Sequence, residues 1–231
     1  MITIFVRTYN SETTLPFFIK FYRTRFNNCQ IVIYDNESID NTISIAKKFD
    51  CEVHTYCTNG ILDLNAGRNI KNKCWKEAKT DWVLVCDADE MLDINQEQLQ
   101  KENELGTTII SSEGYQMVNM VDNLDLDNIC YGYRDSIYDK IILFNKQKIS
   151  EMNYTVGCHI CSPTGEIKYS HSKYRMYHYH FLNPDFISVK YKEALSRLSK
   201  ESIKNGFCSH YMNNDIVGLF NCVRSSSVKI L

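Results

Sequence analysis

The N-terminal part of the chain alternates short apolar runs with segments of helical periodicity, and this alternation limits the folds open to it. Strand-like runs occupy residues 2–6, 31–35, 51–56 and 82–86. Between them, apolar residues recur at the three- and four-residue spacing of a helix with one buried face. Such βαβ units have right-handed crossovers, so the carboxyl ends of the strands meet at one edge. The sequence predicts an α/β fold with a mostly parallel, Rossmann-like sheet and helices on both faces.

The second half of the chain has a different character. Short β-like pieces, separated by turn-rich segments, occupy residues 107–111, 114–120, 140–144, 166–171 and 173–181. They predict mixed or antiparallel strands appended to the parallel core. A helix is then expected from an Asn183 cap and Pro184 in its first turn, with Gly206 just past its end.

Composition narrows the classes of partner. The chain of 231 residues has a formal net charge of −2, which creates no strong field for nucleic acid, so we expect no nucleic-acid partner. The first residues, MITIFVRTYN, predict a strand rather than a signal peptide. No apolar run approaches the roughly 20 residues needed for a transmembrane helix. We expect a cytoplasmic protein, for which peripheral membrane contact stays open.

Three acids follow the most apolar of the strand-like runs, residues 82–86. They are Asp87, Asp89 and Glu90. Ligands of open α/β sheets bind at the carboxyl edge, and carboxylates there can hold a divalent cation together with substrate phosphates. The alternative is structural: the acids end the strand and cap a helix that starts near Asn95.

Three more patterns stand in order around this acidic turn. They are TYN at 8–10, DNESIDNT at 35–42 and NAGRN at 65–69, and DAD follows at 87–89. Together they resemble the nucleotide-sugar-binding half of family 2 glycosyltransferases. The resemblance implies a GT-A fold in a single domain, residues 1–231. Its nucleotide-sugar-binding half would be residues 1–95 and its acceptor-binding half residues 96–231.

The resemblance also implies roles for individual residues. It places Asp89 on the cation, which would be Mn²⁺ or Mg²⁺, and puts six residues at the nucleotide sugar: Thr8, Asn10, Asp35, Arg68, Asp87 and Ala88. Glu37 and Asn41 depart from the family, which has glycine at both positions. Asn tolerates a left-handed backbone conformation, whereas Glu does so less readily.

Three patterns of the second half resemble related inverting transferases: DKIILF at 139–144, GCH at 157–159 and HYHF at 178–181. They imply a late histidine as a second metal ligand. His178 is the first choice, and His180 lies on the same face of a strand because side chains alternate.

The implied activity is metal-dependent transfer of a hexosyl or deoxyhexosyl group, with inversion, from a nucleoside-diphosphate sugar to an acceptor hydroxyl. The donor is expected to be of the UDP type, with GDP as the other possibility, and the acceptor to be a glycan. A carboxylate would deprotonate the acceptor hydroxyl. Asp139 is the first candidate for this base, ahead of Asp135, Glu113 and Glu151.

The acceptor side has two further candidates, His159 and Tyr138, and His159 is also an alternative base. Tyr138 belongs to the tyrosine-rich segment YGYRDSIYDK, and a second such segment is KYRMYHYHF. Tyrosine rings and hydroxyls suit a saccharide groove. Ordinary tyrosines of edge strands are the alternative interpretation.

Two other functions compete with the transferase. A zinc-binding module would use Cys158, His159, Cys161, His171, His178 and His180, although the spacing lacks a second cysteine pair. A haloacid-dehalogenase-type phosphatase would use Asp87 and Asp89, but Glu90-Met91 at mid-chain does not fit its motif. A nucleotidylyltransferase would need a glycine-rich N-terminal loop, which VRTYNSETT lacks.

Overall fold

The computed structural model describes residues 1–121, 123–204, 206 and 208–231. Four parallel strands form one side of a ten-stranded sheet in the order β4-β1-β2-β3, with β3 at the edge. Their bounds are β1 Ile2–Thr8, β2 Cys29–Asp35, β3 Glu52–Thr55 and β4 Trp82–Asp87. The parallel α/β core is therefore confirmed.

Helices cover both faces of this parallel core. They are α1 Leu15–Arg25, α2 Thr42–Lys48 and α3 Leu64–Lys73. Apolar residues of α1 and α2 pack with Ile4 of β1, whereas Trp75, just after α3, packs in a separate cluster with Phe5. Ile4 and Phe5 are neighbours on a strand, so their side chains point to opposite faces.

Antiparallel strands extend the sheet beyond β4, as the second half of the sequence predicts. The order is β12-β7-β6-β8-β4, and every pairing along it is antiparallel. The bounds are β6 Ile109–Val118, β7 Tyr131–Arg134, β8 Leu143–Asn145 and β12 Val228–Lys229. A separate two-stranded sheet joins β9 Ile149–Glu151 to β10 Thr164–Gly165.

Two strands bring the halves of the chain together. β5, Glu90–Leu92, follows β4 after a two-residue turn, and β11, Tyr169–Phe181, is a strand of 13 residues. β11 pairs parallel with β6 and antiparallel with β5. His178 is thereby paired in register with both Glu90 and Gln116. This register carries the late histidines to the acidic turn.

The elements of the second half are longer or shorter than their sequence patterns indicate. The predicted pieces at 107–111 and 114–120 form the single strand β6, and those at 166–171 and 173–181 form β11. Cross-strand partners decide this, because a turn-rich segment stays extended when its backbone pairs on both sides.

Helices of the second half are α4 Gln96–Glu104, α5 Pro184–Arg197, α6 Lys200–Lys204 and α7 Ile216–Ser226. Short 3₁₀ turns occupy Leu126–Asn128, Ser136–Tyr138 and Ser209–Met212. Asn95 caps α4 and Asn183 caps α5, both through their side chains. No helix of the described residues is long and apolar enough to cross a bilayer.

The prediction of one helix that begins at Pro184 and ends just before Gly206 is wrong. The chain is extended at Leu198, and α6 begins two residues later. The Arg197 carbonyl accepts a hydrogen bond from the Leu62 amide at 2.8 Å, so a distant loop takes the place of the next helical turn. Ser199 then restarts the helix by accepting from the Ser202 amide at 3.0 Å.

Candidate active site

Asp87, at the end of β4, is held between two cations. Its carboxylate accepts from Arg7 Nε at 3.0 Å and from Lys71 Nζ at 2.8 Å. Burial alone would raise the pKa of Asp87, but Arg7 and Lys71 together hold it well below its usual range. Both carboxylate oxygens are therefore engaged with the protein itself.

Glu90, the first residue of β5, is also engaged. Its side chain is buried and forms an ion pair with the buried Nζ of Lys140. The other carboxylate oxygen accepts from the Asp87 amide at 3.2 Å. Glu90 thus ties the acidic turn to the segment that leads into β8.

Asp89 lies in the turn between the two strands and differs from both neighbours. Its side chain is 34% exposed, and its Oδ2 lies 3.5 Å from His178 Nε2 rather than beside a Lys or Arg. Burial would raise the pKa of Asp89, but His178 lowers it to about 2. The Asp89 backbone carbonyl accepts from the Tyr179 amide at 2.9 Å, which fixes the turn against β11. Among the described residues, Asp89 is the acid of the three that has no Lys or Arg partner.

Two histidines of β11 complete a group with Asp89. One ligand atom of each of Asp89, His178 and His180 lies within 4.8 Å of those of the other two, a spacing that a metal ion can bridge. The rings of His178 and His180 are nearly parallel, with centroids 5.5 Å apart. Burial, followed by the neighbouring His178, lowers the pKa of His180 to about 3. A carboxylate with neutral imidazoles is a donor set that Mn²⁺ and similar divalent ions accept, so these residues fit a cation.

Tyr138 and His159 stand beside this group, where they form a wall. The Tyr138 ring stacks on His178 at 4.0 Å between centroids, and His159 meets Tyr138 edge-on at 5.4 Å. His159 Nδ1 lies 3.2 Å from the Ile137 carbonyl, and burial followed by Lys140 lowers its pKa.

Asp139 follows Tyr138 directly, and its carboxylate is about one-third exposed. It accepts from the Gly114 amide at 2.8 Å and forms an ion pair with Arg134. Burial would raise the pKa of Asp139, but the hydrogen bond and charge of Arg134 and the Gly114 amide lower it. Asp139 is therefore ionised, and it directly follows Tyr138 of the wall in the sequence.

The other candidate bases are held in different ways. Glu151 forms an exposed ion pair with Lys76, and Glu113 accepts from the Tyr115 hydroxyl at 3.1 Å. Asp135 accepts from Gln116 Nε2 at 3.1 Å and from the Ile137 amide at 3.0 Å.

The residues expected at the nucleoside lie together at the carboxyl edge of β1 and β2. Thr8 Oγ1 donates to Asp35 Oδ1 at 3.0 Å, and the Ser38 amide donates to Asp35 Oδ2 at 2.9 Å. Asp35 has no exposed surface. Asn10 adopts a left-handed conformation with φ +43° and donates through Nδ2 to Glu193 at 2.6 Å. Their polar atoms are therefore partners of one another and of α5.

The two departures from family glycines have different outcomes. Glu37 does adopt the left-handed conformation, with φ +61°. Its carboxylate accepts from the Thr58 amide at 2.9 Å and the Gly60 amide at 3.4 Å, which offsets the backbone strain. Asn41 has φ −79°, so this position does not need glycine at all.

Arg7 and Lys71 are functional candidates that the sequence reasoning missed. Arg68, the expected phosphate contact, is half-buried on α3 and donates to Asn69 at 3.3 Å. Arg7 and Lys71, in contrast, form ion pairs with Asp87. The register of the parallel pair β1 and β4 aligns Arg7 with Asp87, and the signal in the sequence is only that each residue lies at the carboxyl end of its strand. A Cβ on Gly67 would stand 1.9 Å from Arg7 Nη1, so the glycine of NAGRN leaves room for this guanidinium. Ala88 is buried and offers a ligand only its backbone.

One face of α5 covers the ends of β1 and β2. The Arg197 guanidinium lies over the Tyr9 ring at 3.4 Å and donates to Asn36 and, at 3.2 Å, to the Gly60 carbonyl. Lys190 donates to the Asn10 carbonyl. These residues were not anticipated, because nothing local in the sequence connects α5 with loops that precede it by more than 100 residues.

The zinc alternative is not supported by the geometry. Among the described residues, the metal-binding group that forms consists of Asp89, His178 and His180, and it contains no cysteine. His171 is exposed on β11, and Cys158 and Cys161 pack in the apolar cluster around Trp75. The phosphatase alternative would need Asp87 as nucleophile, but Arg7 and Lys71 occupy both of its oxygens.

The parallel α/β sheet, with its acidic turn at the carboxyl edge and its antiparallel extension, agrees with the GT-A fold that the sequence patterns implied. Residues 3–101 match the family described as Glycosyl transferase family 2. This segment contains β1 to β4 and the Asp-Ala-Asp turn. The part of the chain that forms the parallel core is therefore similar to family 2 glycosyltransferases, as the sequence patterns implied.

Several solved structures are similar to the chain. S. aureus TarS 1-349 is 16% identical; the match covers 92% of this chain and 70% of that one, with a TM-score of 0.47. Mannosyltransferase PcManGT from Pyrobaculum calidifontis, in complex with GDP-Man and Mn²⁺, is 16% identical over 48% of this chain and 34% of that one, with a TM-score of 0.34. Glucosyl-3-phosphoglycerate synthase from Mycobacterium tuberculosis, with Mn²⁺, UDP and glucosyl-3-phosphoglycerate, is 15% identical over 49% and 44%, with a TM-score of 0.36. A search of curated proteins found no match.

Proposed function

We propose that the protein transfers a glycosyl group, with inversion, from a UDP-sugar to a hydroxyl of a glycan acceptor, with Mn²⁺ or Mg²⁺ as cofactor. One observation carries the proposal. Of the three acids at the end of β4, Asp89 alone is left without a Lys or Arg partner, and it faces His178 and His180 at metal-binding distance.

In this proposal the Asp89 carboxylate and His178 Nε2 hold the cation, and His180 is close enough to join them. When bound, the ion would stabilise the negative charge that develops on the leaving diphosphate. Asp89 suits the role because its low pKa keeps it ionised throughout the neutral range.

Fixed positive charge adds to this stabilisation. Arg7 and Lys71 together carry one positive charge more than the Asp87 between them neutralises. The Lys71 side chain is 3% exposed and that of Arg7 is 26% exposed, so Arg7 is the cation that a diphosphate can reach. Preorganised charge of this kind is stronger in a site from which water is excluded.

We further propose that Thr8, Asn10, Asp35, Arg68, Asp87 and Ala88 form the nucleotide-sugar side of the site. Asp35 and Asn10 are already hydrogen-bonded to Ser38 and Glu193. A nucleoside that binds here must exchange some of those bonds for its own. Asp139 would deprotonate the acceptor hydroxyl, and Tyr138 and His159 would line the acceptor groove.

The proposal predicts nucleotide binding that depends on a metal and on Asp89. UDP and GDP would be titrated calorimetrically into the protein with Mn²⁺ and then with excess chelator. We expect one nucleotide to bind in the presence of Mn²⁺ and to lose this binding in the Asp89→Ala variant, because the carboxylate ligand is gone.

Asp93→Ala is the matched control. Asp93 also follows β4 closely, but it bonds to Arg25 and to the Tyr177 hydroxyl rather than to the histidines. This variant should bind the nucleotide as the wild type does. If neither nucleotide binds with or without Mn²⁺, the proposed donor site is wrong.

A further inference from the structure

We propose that Gln116 and Asp135 are positioning residues that set the tautomer of His178, so that its Nε2 lone pair faces Asp89. The inference rests on the proposed function, since it assigns a purpose to two residues behind the proposed metal ligand.

Two hydrogen bonds join the three residues. His178 Nδ1 lies 2.7 Å from Gln116 Oε1, and Gln116 Nε2 donates to Asp135 Oδ2 at 3.1 Å. His178 is 6% exposed and Gln116 is 5% exposed, so water does not compete strongly for the bond between them, whereas Asp135 is half-buried.

Asp135 determines which groups donate and which accept in these hydrogen bonds. An ionised carboxylate accepts hydrogen bonds and cannot donate them, so the Gln116 amide must turn its NH₂ group towards Asp135. Its carbonyl oxygen must then face His178. An acceptor at this position requires a proton on Nδ1, which leaves the lone pair of the neutral ring on Nε2, 3.5 Å from Asp89 Oδ2.

The neighbouring strands hold these hydrogen-bonded side chains in place. Gln116 is in register with His178 on β11, and also with Tyr133 on β7. A Cβ on Gly132 would lie 2.3 Å from the backbone carbonyl oxygen of Gln116, so the glycine permits the close approach of β7.

Asp135 has a second task. Its Oδ1 accepts from the Ile137 amide at 3.0 Å and caps the short turn Ser136–Tyr138. That turn presents the Tyr138 ring, which stacks on His178. Asp135 therefore controls the edge of the imidazole through Gln116 and its face through Tyr138.

Asp135→Asn would reverse the donor–acceptor direction of the hydrogen bonds from Asp135 through Gln116 to His178, with almost no change in side-chain shape. The single carbonyl oxygen of Asn is needed for the Ile137 cap, so its NH₂ group takes the place of Oδ2 and faces Gln116. The Gln116 amide then flips, its NH₂ group faces Nδ1, and the ring proton moves to Nε2. We expect Mn²⁺ affinity to fall about 10- to 100-fold, the usual effect of losing a partner behind a metal ligand.

A double variant tests the polarity itself. In Gln116→Glu with Asp135→Asn, the new carboxylate accepts from both Asn and His178 Nδ1, and the net charge equals that of the wild type. We expect this variant to recover Mn²⁺ affinity to within a few-fold of wild type, whereas a merely structural role for Asp135 would predict further loss.

Mn²⁺ affinity would be measured by electron paramagnetic resonance of the free ion. The tautomer would be read in the metal-free protein by ¹⁵N NMR of the His178 ring, at a pH where it is neutral. Asp93→Asn is the control, and it should change neither quantity. Thermal unfolding of each variant would establish that it is folded.

Unchanged Mn²⁺ affinity and an unchanged Nδ1–H tautomer in Asp135→Asn would overturn the inference. Failure of the wild type to bind Mn²⁺ is a different result and would count against the proposed function. The NMR measurement would still decide whether Asp135 sets the tautomer in that case.

Discussion

At the scale of single residues, neighbouring acids with the same chemistry have different tasks. Asp87 is neutralised by Arg7 and Lys71, and Glu90 is neutralised by Lys140. Asp89 is partly exposed and faces histidine. The distinction lies in the partners rather than in the acids, and it predicts different effects of the same substitution at Asp87 and at Asp89.

Asp87→Asn should destabilise the protein by about 3–5 kcal/mol, because it leaves Arg7 and the buried Lys71 without their counter-ion. Asp89→Asn should leave stability nearly unchanged, since no Lys or Arg depends on it. Urea unfolding of the two variants provides the measurement. A larger loss in Asp89→Asn than in Asp87→Asn would contradict this division of roles.

Asp87 also predicts the direction of acid sensitivity. Its folded-state pKa lies well below its usual range, so the unfolded chain takes up a proton first as the pH falls. The stability that Asp87 contributes is fully present above an unfolded pKa of about 3.9 and is lost progressively below it. Unfolding free energy measured against pH should fall less steeply in Asp87→Asn than in the wild type below that value.

Asp139→Asn tests the proposed base. We expect kcat to fall about 10²- to 10⁴-fold, because a group that accepts a proton in the transition state is removed. Metal-dependent nucleotide binding should be retained. Glu151→Gln is the comparison, since Glu151 is an exposed partner of Lys76, and it should leave kcat within a few-fold of wild type. The reverse pattern would move the base to Glu151.

At the scale of elements, α5 and β11 connect distant parts of the chain. β11 brings His178 beside Glu90, and α5 covers the loops that follow β1 and β2. α5 ends at Arg197 because the Arg197 carbonyl accepts a hydrogen bond from the Leu62 amide instead of from the next helical turn. The positions of both elements are set by long-range pairing rather than by local propensity.

Arg197→Ala tests how firmly α5 is attached. The substitution removes a guanidinium stacked on Tyr9 and hydrogen-bonded to Asn36 and Gly60. We expect a loss of about 2 kcal/mol in unfolding free energy. Amide exchange should also become faster in residues 56–62. Lys192→Ala, on the exposed side of α5, should alter neither, and equal effects of both variants would contradict the assignment.

At the scale of the whole molecule, one core spans both halves. The main apolar cluster contains Ile4 and Leu84 from the parallel part together with Met176, Tyr177 and Leu182 from the second half. The single domain expected from the sequence accordingly predicts one cooperative unfolding transition.

A fragment of residues 1–95 should not fold alone, because it would expose the surface that β11 and β8 cover. Circular dichroism of the fragment and calorimetry of the full chain would test this. A folded fragment, or two separate transitions in the full chain, would show that the halves are independent.

The sequence by itself determined the parallel core, the order of its motifs and the place of the acidic turn. Their signals are local: apolar periodicity and polar residues at strand ends. It also determined that His178 and His180 share a face, since this follows from the alternation of side chains along a strand.

Tertiary structure decided which of the acids lacks a Lys or Arg partner among the described residues, where α5 ends, and which side chains form hydrogen bonds with His178 Nδ1 and Gln116. Arg7 is 80 residues from Asp87, Lys140 is 50 from Glu90, and Gln116 is 62 from His178. These partners are chosen by strand register and by helix position. A register is fixed by the collective burial of an entire face of the sheet, so no short stretch of sequence contains it.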